Sequence, residues 1–157
     1  MATQWTAGTT SGQVLTAATL NTIGAVWESW TPVLTASAIN PNLGTTGTST
    51  GRYARVNKIV IAQAVFTFGG ASIAAGSGFY KTSLPLTAQA AAPASGTALA
   101  VDVSSFASTS NVAYLDSTTQ AIGVGTGGAG FAASIGSATY VWAAGDFIRF
   151  LLIYEAA

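Results

Sequence analysis

At residues 59–68 the chain reads Ile-Val-Ile-Ala-Gln-Ala-Val-Phe-Thr-Phe, and a pair of glycines follows. β-branched and aromatic residues dominate this stretch, which predicts a strand that ends at the glycines. Side chains alternate between the two faces of a strand, so both faces of this one are largely apolar. An antiparallel strand usually leaves one face to solvent. We therefore expect the second face, which carries Ile59, Ile61 and Val65, to be covered by the N-terminal segment or by another copy of the chain.

Short apolar segments recur along the chain, separated by turns rich in Gly, Ser, Thr and Ala. This pattern predicts an all-β fold, which we expect to be a jelly-roll-like antiparallel β-sandwich. A turn-rich stretch is expected at residues 40–51, and prolines favour a loop over a helix in the Ala-rich stretch 87–95. Asp146 is expected to fix a turn before the last strand. The further predicted strands are residues 78–84, 97–103, 111–115, 138–142 and 146–154.

The first residues of the chain differ from the remainder, so we divide it into an N-terminal attachment segment, 1–30, and a β-sandwich domain, 31–157. Thr16 can cap a short helix in the first segment, on which apolar residues at spacings of three and four form a stripe. A helix of about ten residues is marginal alone, so contact with a partner is its expected stabiliser. The residues of the stripe are Leu20, Ile23 and Trp27.

Charged residues are rare: the 157 residues include five Lys or Arg and five Asp or Glu, with no His and no Cys. A soluble domain devotes about a quarter of its residues to these charges, so this surface suits a protein buried in an assembly and argues against most enzymes. Without His and Cys, no metal or cofactor is expected. A net charge of zero argues against nucleic acid as a partner. The longest apolar segment, 147–154, is far shorter than the ~20 residues of a membrane span, and the N-terminus has no signal-peptide pattern, so no membrane partner is expected.

Two patterns bear on catalysis. Residues 123–128 match the letters of a dinucleotide-binding glycine motif, but nothing after them predicts the required helix, so we expect a turn. With no His to act as a base, the remaining route is a pair of carboxylates converging in a cleft, as in glycosidases. The five acidic residues are scattered singly, so we expect no enzyme and assign no catalytic residue.

Arg52, Arg55 and Lys58 recur at three-residue intervals. One interpretation is an electropositive contact with an acidic partner. The interpretation we favour is a solvated strand and turn, with Tyr53 and Val56 pointing inward. The four tryptophans likewise have two interpretations, sugar stacking or core and subunit contact, and the second is favoured.

Arg149 interrupts an apolar strand and, by alternation, shares a face with Phe147, Leu151 and Ile153. A guanidinium there must either reach water or find a carboxylate. We expect it to be paired near a subunit boundary, with Glu155 or with a carboxylate of a neighbouring subunit.

Several motifs fall in one part of the chain, roughly residues 12–86. They are Trp-Thr-Pro at 30–32, Asn-Pro-Asn-Leu-Gly at 40–44, Gly-Arg-Tyr-Ala-Arg-Val-Asn-Lys at 51–58 and Ser-Leu-Pro at 83–85. Together they resemble a module of tailed-phage virion proteins, especially of phages of actinobacteria. Residues 14–21 resemble the attachment segment often found ahead of that module. Residues 144–150 resemble the end of trimeric jelly rolls related to complement and tumour necrosis factor heads.

The resemblance implies a structural protein on the virion surface, made in the host cytoplasm and assembled as a homotrimer. A capsid decoration (head fibre) protein is expected, because the chain is short and tail receptor-binding proteins usually carry a longer shaft. The alternative is a carbohydrate- or receptor-binding tail appendage, an adhesin, which an exposed aromatic platform flanked by Asn, Gln or Asp would favour. The implied partners are the major capsid protein or another virion subunit and, for the adhesin, host-surface carbohydrate. The expected capsid-attachment residues are Leu20, Ile23 and Trp27, and the expected subunit-interface residues are Ile59, Ile61, Val65 and Arg149.

Overall fold

The computed structural model describes residues 26–90, 94–124 and 141–157, which form one antiparallel sheet of nine strands. The strands are β1 (Glu28–Trp30), β2 (Leu34–Ala36), β3 (Thr48–Val56), β4 (Ile59–Thr67), β5 (Tyr80–Ser83), β6 (Ser95–Asp102), β7 (Ala107–Leu115), β8 (Gln120–Val124) and β9 (Phe147–Glu155). Along the sheet the strand order is β1-β3-β4-β9-β6-β7-β8-β5-β2. The predicted all-β antiparallel fold is confirmed, and the curled sheet is compatible with a β-sandwich.

The core of the fold lies mainly against two paired strands, β4 and β9. They match the predicted strands 59–68 and 146–154 to within one residue at each end, and they pair over their full lengths. Alternate side chains of both strands point to the inside of the curled sheet, where they supply most of the large core residues. These inward residues are Val60, Ala62, Ala64, Phe66, Ile148, Phe150, Leu152 and Tyr154.

The sheet curls because its two edge strands, β1 and β2, are joined only by residues 31–33. A link of this length brings the two edges of the sheet close together. Pro32 in the link is buried, and its carbonyl oxygen accepts a hydrogen bond from the Ser49 hydroxyl of β3. The Val33 amide donates to the Ser83 hydroxyl of β5 at 3.0 Å. The link is therefore attached to both ends of the sheet, and the inner face becomes an enclosed core.

Gly51 of β3 makes room for an indole at this closure. It lies opposite Trp30 of β1, and a Cβ atom at this position would clash with the indole Nε1. A larger residue would therefore displace Trp30, which packs against the core.

Asp146 fixes the turn before β9, as predicted. Its carboxylate is buried and accepts hydrogen bonds from the amides of Val103, at 2.9 Å, and Ala143, at 2.7 Å. Its own backbone carbonyl accepts the Phe68 amide at 2.8 Å. One residue therefore connects the ends of β6 and β9, through its carboxylate, and the segment that follows β4, through its backbone carbonyl.

Trp142 lies outside the strands, although a strand was expected at 138–142. Residues 138–140 fall outside the described residues, and neither Val141 nor Trp142 belongs to a strand. The Trp142 ring stacks on Phe68, with centroids 4.4 Å apart and planes inclined by 17°, and its Nε1 donates to the Tyr80 hydroxyl at 3.1 Å. Side-chain packing, rather than a backbone ladder, therefore holds this residue in the core.

β3 and β8 are among the strands that extend beyond the sequence expectation. β3 begins at Thr48, inside the expected turn-rich stretch 40–51, because residues 48–51 pair in register with β4. β8 was not expected at all; it pairs with both β5 and β7, so the first two residues of the glycine-rich stretch 123–128 belong to a strand. The rest of that stretch lies outside the described residues. These strands are stabilised by their neighbours in the sheet more than by their own propensity.

The expected attachment segment, 1–30, is described only at its end. There Glu28–Trp30 forms β1 and pairs with β3, so these three residues are part of the sheet. The predicted helix, with Leu20 and Ile23, lies outside the described residues. In the Ala-rich stretch 87–95, the described residues include Ala88, which is buried and bridges to Ala156.

Candidate functional site

The outward-facing side chains of five neighbouring strands, β1, β3, β4, β9 and β6, form a cleft on the outer face of the sheet. Register places them in two rows that run across the strands. One row contains Thr50, Val65, Arg149 and Leu99, and the next contains Ser29, Arg52, Gln63, Leu151 and Thr97.

The cleft has a volume of about 650 Å³, and all nine of these residues line it. Its lining combines apolar side chains with hydroxyl groups, one amide and two guanidinium groups. Val65, Leu99 and Leu151 supply apolar surface, and no carboxylate lines the cleft. The cleft is therefore electropositive.

Arg52 is positioned by an amide and by an aromatic ring. Its Nε donates to the Gln63 Oε1 atom at 3.0 Å, and its guanidinium carbon lies 4.8 Å from the centroid of the Trp27 ring. A guanidinium over a ring face is attracted by the ring quadrupole. Both contacts hold the charge of Arg52 at the cleft.

Arg149 is positioned by its strand neighbour two residues away. Its guanidinium carbon lies 4.5 Å from the centroid of the Phe147 ring, and its side chain is exposed. Arg149 does share its face with Phe147, Leu151 and Ile153, as alternation predicts. The two arginines thus line one cleft, and an aromatic ring lies beside each of them.

Each of the five carboxylates of the chain interacts with another group. Glu155 lies 3.8 Å from the Lys58 ammonium group and Asp116 lies 2.6 Å from that of Lys81. Glu28 accepts from the Tyr53 hydroxyl at 2.9 Å, and Asp102 and Asp146 accept from backbone amides. All ten charged residues belong to the described part of the chain. Within that part Arg52 and Arg149 have no carboxylate partner. Of the two expected partners of Arg149, Glu155 of the same chain lies beside Lys58 instead, and pairing with a carboxylate of a neighbouring subunit stays a prediction.

The grouping of Arg52, Arg55 and Lys58 into one positive patch does not hold. In a strand, a spacing of three puts Arg52 and Arg55 on opposite faces, and the Arg55 Nε donates to the Asn57 carbonyl at 2.5 Å. Tyr53 points inward, as expected, but Val56 faces outward and is 54% exposed. The expectation for Val56 was wrong because it treated a strand as if three-residue spacing kept one face.

A second feature of the outer face is an apolar strip next to the cleft, which we call the outer strip. Ile61 and Ile153 lie opposite each other in the β4–β9 ladder and are 37% and 48% exposed. Of the four expected interface residues, Ile59 and Ile61 belong to this strip, whereas Val65 and Arg149 line the cleft. The outer strip consists of Val56, Ile59, Ile61, Leu151 and Ile153.

Trp27 is the described member of the three expected attachment residues. Its side chain is 44% exposed and lies beneath the guanidinium of Arg52, next to the cleft. Sequence reasoning did not group Arg52 with Arg149 or Gln63. The available signal was alternation, which puts each of these three residues outward on its own strand, but the pairing of β3, β4 and β9 was needed to bring them together.

In residues 26–90, 94–124 and 141–157, no group of three His, Cys, Asp or Glu side chains is arranged to hold a metal ion. The same described residues contain no helix with the length and apolar character needed to cross a membrane. Comparison of the chain with protein-family models, curated proteins and solved structures gives no match.

Proposed function

We propose that this chain is a structural protein of a bacteriophage virion: a capsid decoration (head fibre) protein that assembles as a homotrimer on the capsid surface. The sequence motifs at 30–32, 40–44, 51–58 and 83–85 support the phage assignment through their resemblance to virion modules. The scarcity of charge supports a role within an assembly.

The observation that carries the proposal is the outer strip. Its five apolar side chains are each between 37% and 56% exposed and lie on adjoining strands. Contiguous apolar surface of this kind is uncommon on monomers and is typical of protein contacts. A closed symmetric oligomer buries such a surface on every copy. We propose that the outer strip is the centre of the contact between subunits.

Attachment to the capsid is assigned to the N-terminal segment. Leu20, Ile23 and Trp27 remain the proposed contact residues, with the major capsid protein or another virion subunit as the partner. In this proposal the outer strip of the sheet forms the contacts between the subunits of the trimer, and the N-terminal segment binds the capsid.

Light scattering in dilute solution tests the assembly. The wild type should have three times the 15.7 kDa mass of the chain, whereas a stable species at 15.7 kDa would contradict the proposal. The double variant Ile61→Thr/Ile153→Thr should shift the mass towards 15.7 kDa while the chain stays folded, because Thr keeps strand propensity but removes apolar contact area. Val112→Thr is the matched control: Val112 is also exposed but lies on β7, outside the outer strip, so the mass should not change.

A further inference from the structure

Two arginines face one cleft, and the five Asp and Glu side chains of the chain interact with other groups. Arg52 and Arg149 both line the cleft of about 650 Å³, and no carboxylate lines it with them. An anion that enters the cleft is attracted by both guanidinium groups. Since the five Asp and Glu side chains already interact with other groups, these observations favour an anion from outside the chain.

We propose that this cleft is a binding site for an acidic saccharide, in which Arg52 and Arg149 bind carboxylates of uronic-acid-type sugar units. A planar guanidinium suits a carboxylate, because its N–H groups donate two parallel hydrogen bonds. The binding site adds a recognition function to the assembly function proposed above and does not depend on it.

The remaining lining of the cleft suits a sugar ring. The amide of Gln63 and the hydroxyls of Thr50 and Thr97 are uncharged groups that donate and accept hydrogen bonds, as sugar hydroxyls require. Val65 and Leu99 provide apolar surface for the C–H groups of the ring. Small-ligand sites commonly combine apolar lining with a few polar groups of this kind.

The position of the cleft argues against an acidic peptide. Extended peptides usually bind at a sheet edge, where free backbone groups hydrogen-bond to them. This cleft lies on the face of the sheet. Ser29 of the edge strand β1 lies at its margin, but the other strands beneath it pair with neighbours on both sides: β3 with β1 and β4, β4 with β3 and β9, β9 with β4 and β6, and β6 with β9 and β7. A peptide lying here would find few partners for its backbone amides, whereas a saccharide has none to satisfy.

A carboxylate of a second copy is the other candidate occupant. The most exposed ion pair is Lys58–Glu155, whose side chains are 55% and 45% exposed, so a neighbouring Glu155 could reach Arg149 only by leaving its own lysine. That arrangement exchanges one ion pair for another and leaves Lys58 unpaired. If a carboxylate of a second copy occupied the cleft, Arg149→Gln would lower the oligomer mass. Saccharide binding predicts no such change.

Isothermal titration calorimetry with an oligogalacturonate, and with a neutral oligosaccharide of the same length, tests the proposal on the full chain. The wild type should bind the acidic oligosaccharide more tightly than the neutral one. Arg149→Gln and Arg52→Gln should each weaken binding by about tenfold or more, since each removes hydrogen bonds to a charged group. Lys58→Gln, which removes the same charge from an exposed site outside the cleft, should leave binding unchanged. Arg149→Lys should give an intermediate affinity, because it keeps the charge but loses the planar fork.

The proposal would be overturned if the wild type does not bind the acidic oligosaccharide, or if it binds the acidic and neutral oligosaccharides with equal affinity. Equal weakening of binding by Lys58→Gln and Arg149→Gln would also contradict it. So would tighter binding of an oligoglutamate peptide at the same residues. A fall in oligomer mass on Arg149→Gln would also overturn it, in favour of a carboxylate from a neighbouring subunit. If the wild type is a monomer and still binds the acidic oligosaccharide through both arginines, the assembly proposal fails and the cleft proposal stands.

Discussion

The two faces of β4 and β9 have similar apolar character and opposite environments. On the inner face, Phe66 and Ile148 lie opposite each other and are fully buried. On the outer face, Ile61 and Ile153 also lie opposite each other, but 37% and 48% of their side chains are exposed. The comparison shows that the apolar pattern of a segment can identify a strand without indicating which of its two faces becomes the core. The curl of the sheet decides that, because only one face is enclosed.

The inner face also differs along the sheet. β4 and β9 bring Phe66, Phe150 and Tyr154 into the core, whereas β6 and β7 contribute alanines such as Ala98 and Ala113. Large and small side chains on facing strands fill the interior together. The stability of the fold should therefore depend most strongly on the large residues of β4 and β9.

The largest expected effect comes from Phe150→Ala on the inner face, paired with Leu151→Ala on the outer face. Phe150 is 1% exposed and packs edge-on against Phe66, so its removal should lower the free energy of unfolding by about 3–5 kcal/mol. Leu151 is 41% exposed, and its removal should cost about 1 kcal/mol or less in the monomer. Urea unfolding at matched oligomer mass checks the difference. Equal losses would contradict the division into a core face and a solvent face.

A smaller effect is expected from the buried polar contact at the end of the sheet. Asp146→Ala leaves the amides of Val103 and Ala143 without their acceptor and should cost about 2 kcal/mol. The control is Asp116→Ala, which breaks the partly exposed ion pair with Lys81 and should cost about 1 kcal/mol or less. Thermal melts of both variants check the order. A larger loss of stability for Asp116→Ala than for Asp146→Ala would contradict the expectation that the more buried contact stabilises the fold more.

A further effect should appear only at alkaline pH, through tyrosines on the inner side. Burial raises the pKa of Tyr80 and of Tyr154 to about 12 from the ordinary value of 10.0. The folded state holds these protons more tightly than the unfolded state, so the contribution to stability is fully present below pH 10 and is lost as the pH rises from 10 to 12. Denaturant unfolding at several pH values, with absorbance titration of the phenolate, checks this.

Tyr154→Phe should reduce the alkaline loss of stability, although it also removes the hydrogen bonds between Tyr154 and the backbone of Leu86. If the variant loses stability with rising pH as steeply as the wild type, Tyr154 does not contribute to the alkaline sensitivity.

Much of the β-fold was predictable from residues with strong local signals. Residues 59–68 and 146–154 combine β-branched and aromatic side chains, and both became the long central strands. β3 and β8 were underestimated because Thr, Ser, Gly and Ala carry weak strand signals, and pairing with neighbouring strands stabilises them. The candidate site was predictable only in part: alternation places Arg149 outward, but nothing local relates it to Arg52, which lies 97 positions earlier in the chain.

The sequence alone determined an all-β chain with few charges, no His or Cys, and two strands apolar on both faces, because composition and period-two alternation are local properties. The tertiary structure decided which face is the core. It also decided that Arg52 and Arg149 meet at one cleft and that Glu155 lies beside Lys58. The physical reason is that burial and electrostatic pairing depend on which strands lie next to each other. Contacts between distant parts of the chain set that arrangement, through the short link at residues 31–33 and the β3–β4–β9 register.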